Sequence, residues 1–271
     1  MGDILVLMNI FEAILLGIIQ GLTEFIPISS SGHLVIAQTF LSGASEHLFL
    51  EWINIGTVLA LVVFFRRRIM SMIKTVIVGK DYRLFGRIIL ATVPAALVGF
   101  FLADFIETTP FFGSVWTVVV TLVLVGIILI VLEKLPKRSP VETLDELPWR
   151  RAFDIGVAQV LALIPGTSRS GITIIAGRLS GLGRAEAAEF SFLVSIPIML
   201  GVIAKLLIKS SDRLYLLDNL LTLSIGNIAA FVSGLLAVGF LMRFLKNNSL
   251  AVFGWYRIGL ALVIATILLV Q

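Results

Sequence analysis

Two polar segments interrupt an otherwise strongly apolar chain. One runs Gln20-Gly-Leu-Thr-Glu24-Phe-Ile-Pro27-Ile-Ser29-Ser30-Ser31-Gly32-His33, the other Gln159-Val-Leu-Ala-Leu-Ile-Pro165-Gly166-Thr167-Ser168-Arg169-Ser170-Gly171-Ile-Thr173. Gln20 and Glu24 are four residues apart, so a helix sets both on one face, one turn before the serine run. A carboxylate beside a carboxamide suits a hard divalent cation, Mg2+ or Ca2+, whose shell substrate phosphate oxygens would complete. His33 offers an imidazole, a group whose unperturbed pKa near neutrality suits proton transfer. Ser29, Ser30 and Ser31 are candidate nucleophiles for any base close enough to activate one.

The second segment offers the opposite charge. Arg169 sits among Gly166, Thr167, Ser168, Ser170 and Thr173 at a glycine-rich turn. A planar guanidinium with backbone N–H groups at a following helix N-terminus makes an anion cradle. Carboxylate, cation site, hydroxyl and arginine clamp together describe phosphoryl chemistry, where catalysis is mostly positioning and charge neutralisation. Plainer roles compete for each residue. Membrane hydroxyls often join neighbouring helices, and a histidine in a turn often caps or packs. Glu189 is an alternative, structural partner for Arg169. Glu51 and Asp154 fall at the ends of apolar segments and read as interfacial, while Glu12 fits either role. Arg169 has no acidic neighbour in sequence, and burying it without an anion would be costly.

These residues must be held by membrane-embedded elements. The chain has 271 residues, 58% hydrophobic and only 14% charged, against roughly 25% charged in soluble domains. Its net charge of +4 does not indicate nucleic-acid binding, because the cations lie in short loops between apolar spans. The absence of cysteine excludes disulfides and thiolate chemistry. The opening residues lack a basic region and a small-residue cleavage site, so no removable signal peptide is expected. Six segments are long and apolar enough to cross a bilayer, at about 50–66, 84–105, 113–133, 187–208, 219–242 and 249–270. Two further apolar regions, about 4–42 and 153–181, are broken by the polar segments through proline sterics and competing hydroxyl bonds. Each reads as a re-entrant helix-turn-helix hairpin.

The expected fold is therefore an all-α polytopic membrane protein, one membrane domain over 1–271. It reads as hairpin plus three transmembrane helices, twice, with repeat 1 at about 1–135 and repeat 2 at about 150–271. An odd number of spans per half inverts the second half, giving an inverted-topology repeat whose hairpin tips meet near the midplane. Cations gather in the loop from Arg66 to Arg87, in the linker at about 134–151, and at Arg178, Arg184, Arg243 and Lys246. The positive-inside rule makes that side cytoplasmic. Both termini and the mouth of the first hairpin then face outward.

At these motifs the sequence resembles the undecaprenyl-diphosphate phosphatase family of the bacitracin-resistance type. The resemblance rests on a Glu/Gln-x-x-x-Glu motif running into Pro-x-Ser-Ser-x-Gly-His, here Gln20 to His33, and on Pro-Gly-x-Ser-Arg-Ser-x-x-Thr, here Pro165 to Thr173. It extends to length, span count and the Glu-Phe-Ser-Phe run from Glu189. Gln20 is the less acidic option at its position, leaving one fewer carboxylate for a metal. The resemblance implies hydrolysis of undecaprenyl diphosphate to the monophosphate and inorganic phosphate with Mg2+ or Ca2+, recycling a lipid carrier for cell-wall synthesis and conferring bacitracin resistance. The setting implied is the bacterial inner membrane. Carried over residue by residue, Glu24 helps hold metal and diphosphate with Gln20 assisting. Ser30 is the favoured nucleophile, with His33 as its base or proton shuttle. Arg169 clamps phosphate, with Ser168, Ser170 and Thr173 donating. Attack by Ser30, by His33 or by an activated water stay as alternatives. The prenyl tail would lie in an apolar groove between spans, among membrane lipids, and a homo-oligomer is compatible with this arrangement.

The rival class is a transporter or lipid flippase, since inverted repeats with broken midplane helices serve transport. Such a protein needs gating but no nucleophile. A phosphatase of the phosphatidic-acid-phosphatase type is disfavoured, because no Lys-x6-Arg-Pro motif occurs.

Overall fold

The computed structural model describes residues 9–41, 47–135 and 141–270. The regular elements among them are helical, and the β-pairing is a lone bridge between Val141 and Leu182. The chain opens with α1 (Ile10–Phe25) and α2 (Ser30–Phe40), continues through α3 (His47–Trp52), α4 (Asn54–Phe64), α5 (Arg66–Ile77) and α6 (Arg83–Phe101), and reaches α7 (Ala103–Thr108), α8 (Pro110–Gly113) and α9 (Val115–Leu132). The later part holds α10 (Trp149–Gln159), a 3₁₀ turn (Val160–Leu163), α11 (Arg169–Leu179), α12 (Arg184–Ile208), α13 (Ser210–Asp218), α14 (Leu220–Asn247) and α15 (Ala251–Val270).

Six helical stretches are long and apolar enough to span a bilayer: His47–Phe64, Arg83–Phe101, Val115–Leu132, Arg184–Ile208, Leu220–Asn247 and Ala251–Val270. The protein is thus an all-α, multi-pass membrane protein, as the composition requires. Span ends differ from the hydropathy reading because local backbone geometry, not apolarity, ends a helix. The second span stops at Phe101, short of 105, and the chain resumes as the short α7. The first span breaks at Ile53 between α3 and α4. Of the expected first hairpin, residues 4–8 and 42 lie outside the described residues, as do 136–140 of the linker.

Both broken helices follow one local logic. Asn9 starts α1 with a capping box, its side chain accepting from Glu12 N–H while Glu12 reaches back to the Asn9 N–H. Pro27 forces the preceding Ile26 into an extended conformation, which ends the helix at Phe25. The chain then turns through Ser29 at φ 74°, and Ser29 Oγ caps α2 by accepting from Gly32 N–H at 3.3 Å. In the second hairpin Ser168 turns at φ 70° and caps α11 by accepting from Gly171 N–H at 3.1 Å. A non-glycine residue held at such a φ costs about 1–3 kcal/mol, so both turns need support from their surroundings.

That support comes from exchanged packing. The first arm of hairpin one, α1, packs on α14, and that of hairpin two, α10, packs on α6. Likewise α4 meets α14, α12 meets α6, and α9 pairs with α15. Lipid is as apolar as leucine, so close backbone approach between small residues does much of the holding. At Gly21 a β-carbon would stand 2.4 Å from the Ala230 carbonyl and 2.0 Å from Ser233 Oγ. Glycine alone lets α1 seat this deeply against α14.

Candidate active site

The two hairpin tips meet. Glu24, on the last turn of α1, pairs through Oε1 with Arg169 at the first position of α11, at 2.6 Å. Its other oxygen, Oε2, accepts from Ser30 Oγ at 3.1 Å and from Gln20 Nε2 at 3.0 Å. Glu189 is not the partner of Arg169; it pairs with Arg68 at 3.1 Å. Arg169 also donates to the Ser195 carbonyl at 3.3 Å. The ion pair is largely buried, both side chains being 15% exposed.

A hydroxyl lattice fastens one tip to the other. Ser31 Oγ accepts from Gly166 N–H at 3.0 Å and lies 3.0 Å from Ser29 Oγ. Ser170 Oγ donates to the Glu24 carbonyl at 3.3 Å and lies 3.1 Å from Ser168 Oγ. Gly166 turns at φ 84°, and a β-carbon there would lie 2.1 Å from Thr121 Oγ1. Behind both turns sits Arg257 of α15, wholly buried. Its guanidinium donates to the carbonyls of Gly166 at 2.6 Å, Thr167 at 3.2 Å and Pro27 at 3.3 Å. One side chain on a third helix therefore latches both hairpins through backbone oxygens.

Two cavities adjoin this cluster. The larger, about 380 Å3, has an apolar wall of Leu34, Leu50, Ile198, Met199 and Val202, with His47, Glu51 and Asn54 also facing it. The smaller, about 160 Å3, lies against Ala162, Ile164, Pro165, Gly166 and Ser168 in hairpin two. Glu24, Ser30, Ser31 and Arg169 line both, so these four residues form the boundary between them.

Other residues singled out in the sequence fall outside these cavities. Ser29 is fully buried in its capping role, and Thr167 is buried beside Arg257. Ser170 bonds the Glu24 carbonyl, while Thr173 donates to the Arg169 carbonyl at 2.8 Å and contacts Ser191 Oγ at 2.5 Å, on α12. His33 does not touch Ser30. Its Nδ1 bonds the Ser29 carbonyl at 2.8 Å, and in the neutral ring Nε2 accepts from the Tyr256 hydroxyl at 2.7 Å. The side chain bonded to Ser30 is Glu24.

Sequence reasoning missed four contributors. Asn54 accepts from Gln20 Nε2 at 2.9 Å, Glu51 faces the larger cavity, and Tyr256 and Arg257 brace the turns. A Tyr-Arg pair within an apolar span was the available signal, since a charge at that depth requires partners.

Among the described residues no three His, Cys, Asp or Glu side chains gather as a metal cage. The donors still suit a hard cation. Gln20 spends its N–H donors on Glu24 and Asn54, leaving its carboxamide oxygen beside one carboxylate. One or two protein oxygens completed by phosphate and water is a common Mg2+ arrangement.

Residues 13–263 match the family described as bacitracin resistance protein BacA. The chain is 38% identical to an undecaprenyl-diphosphatase of Nitrosomonas europaea, over 94% of this chain and 93% of that one. It is 39% identical to the undecaprenyl-diphosphatase of Rubrobacter xylanophilus, over 97% and 100%, and 40% identical to that of Ectopseudomonas mendocina, over 94% and 92%.

Proposed function

We propose, from the premise that this chain belongs to the bacitracin resistance protein BacA family, how its hairpin tips carry out the family's reaction. The protein is a membrane-embedded phosphatase that hydrolyses undecaprenyl diphosphate to undecaprenyl phosphate and inorganic phosphate. The observation that carries the mechanism is the bonded set Ser30–Glu24–Arg169 at the junction of the two tips.

Glu24 is the base. It accepts the hydrogen bond of Ser30 Oγ, so it takes the proton as Oγ attacks the terminal phosphorus. The bond to the bridging oxygen breaks, and prenyl monophosphate leaves with the electron pair. Water then attacks the phosphoserine, its proton passing to the departing phosphate. Glu24 returns the proton to Ser30 Oγ. Arg169 exchanges its bond to Glu24 for the diphosphate oxygens and neutralises the charge gathering there. Glu24 and Gln20 would hold the Mg2+ or Ca2+, which when bound supplies further neutralisation of phosphate charge. His33 acts one step away: bonded to the Ser29 carbonyl and to Tyr256, it holds the turn that presents Ser30. Gly166, Ser31 and Ser168 shape the cradle, while Ser29, Thr167, Ser170 and Thr173 support it from behind. A transporter would have no use for a hydroxyl bonded to a buried carboxylate.

The matched turns at Ser29 and Ser168, with the exchanged packing of their arms, support an inverted-topology repeat of about 1–135 and 150–271 around a cytoplasmic linker. The basic loops support a bacterial inner-membrane setting with the termini and active-site mouth outward. Release of inorganic phosphate from undecaprenyl diphosphate by purified protein in detergent tests the reading. An inactive, folded, metal-supplemented protein would refute it.

A further inference from the structure

The substrate carries two unlike phosphates, one esterified to the lipid and one terminal, and the protein offers two unlike cavities divided by the reacting side chains. The larger has the apolar wall of Leu50, Ile198 and Val202 that a prenyl chain requires. The smaller, about 160 Å3, is bounded by the polar turn of hairpin two. That is well above the about 10–15 Å3 that holds one water, room enough for a group of several heavy atoms.

Charge favours the same division. Arg169 stands at the boundary, and Arg257 lies just behind, where among the described residues its bonds go to backbone carbonyls. The eleven-residue helices α2 and α11 both begin at the boundary, at Ser30 and Arg169. Their N-termini add partial positive charge there. Glu24 is the anionic side chain facing the smaller cavity.

We propose that the two cavities split the diphosphate, the lipid-linked phosphate resting in the larger and the terminal phosphoryl group in the smaller, which then holds the released inorganic phosphate. This rests on the hydrolase reading above and extends it to the placing of both products. The bond that breaks spans the boundary, which Ser30 lines from both sides. The prenyl monophosphate can consequently still rest in the larger cavity when inorganic phosphate is freed in the smaller.

Double inhibition of the wild-type enzyme tests this. Hydrolysis of undecaprenyl diphosphate is measured while inorganic phosphate and a short prenyl monophosphate are varied against each other. Reciprocal-rate lines that intersect are expected, each inhibitor weakening the other by less than about 10-fold. Parallel lines, meaning mutual exclusion, would overturn the proposal, as would no inhibition by about 50 mM inorganic phosphate. A second arm separates the cavities by steric filling. Ala162→Phe, which crowds the smaller cavity, is expected to lower kcat at least about 10-fold with KM little changed. Val202→Phe, which crowds the larger, is expected to raise KM by a similar factor. The reverse assignment of kcat and KM effects in folded variants would also overturn it. Absence of turnover by wild type would instead remove the hydrolase reading itself, a distinct result from parallel lines in an active enzyme.

Discussion

At the tip of the first hairpin Ser29 turns the chain at φ 74°, ψ 105° and Ser30 opens a helix; at the second, Ser168 turns at φ 70°, ψ 114° and Arg169 opens the matching one. Cap, left-handed serine and following glycine are the same. The first helical side chain differs, hydroxyl in one and guanidinium in the other. The arms leading in differ as well. Gln20 and Gln159 stand equally far before their turn serines, yet Gln20 has Glu24 one turn later, where the second hairpin has Leu163. Gln159 accordingly bonds the Ala91 carbonyl at 3.2 Å, and its own oxygen has no partner among the described residues. Two hairpins with the same turn geometry thus differ at very few side chains, and the proposed reaction draws on those differences. In the proposed reaction the first hairpin supplies base and nucleophile, and the second supplies the cation.

The largest effects should come from removing either side of that division. Glu24→Ala and Arg169→Ala are each expected to lower kcat by about 10³-fold or more. Each also leaves its partner's charge unpaired in a largely buried site, costing on the order of 3–5 kcal/mol. Turnover and melting in detergent check both, and near-wild-type rates in either would dissolve the comparison. Ser30→Ala should lose about 10³-fold if the hydroxyl attacks; substantial residual turnover would move the attack to water. Removing divalent cations with a chelator should abolish turnover, and Mg2+ or Ca2+ should restore it. Full activity in excess chelator would take the metal out of the reaction.

Smaller effects sharpen the contrast between reacting and supporting residues. His33→Ala should cost only about 10-fold in kcat, because the ring holds the Ser29 carbonyl and not Ser30; a loss as deep as that of Glu24→Ala would bring the imidazole into the proton path. Ser29→Gly should shift stability by less than about 1 kcal/mol, since relief of the left-handed φ offsets the lost cap. A melting temperature far below wild type would show that the turn depends on the hydroxyl more than its geometry indicates.

Much of this was legible in the residues. Glu24 and Arg169 announced each other because each is costly in an apolar segment and the two carry opposite charge. Six spans and two broken helices followed from apolar length and proline position. The hydroxyls were harder. A serine or threonine bonds nearby backbone as readily as a ligand, so spacing could not separate Ser30, bonded to Glu24, from Thr173, turned back onto the Arg169 carbonyl. His33 was misleading for a related reason: proximity in sequence to Ser30 placed it on the same turn but aimed it at Ser29. Glu51 reads as interfacial and Asn54 carries no signal of its own, because nothing local reveals that α3 and α4 border the site.

Arg257 carries a consequence for biogenesis. Its guanidinium joins turns contributed by widely separated parts of the polypeptide, yet it lies on α15, which emerges from the ribosome after both. Until that segment inserts, Pro27, Gly166 and Thr167 lack the donor that draws their oxygens together. The latch between the two hairpins can therefore close only after α15, which follows both of them in the chain, has been made.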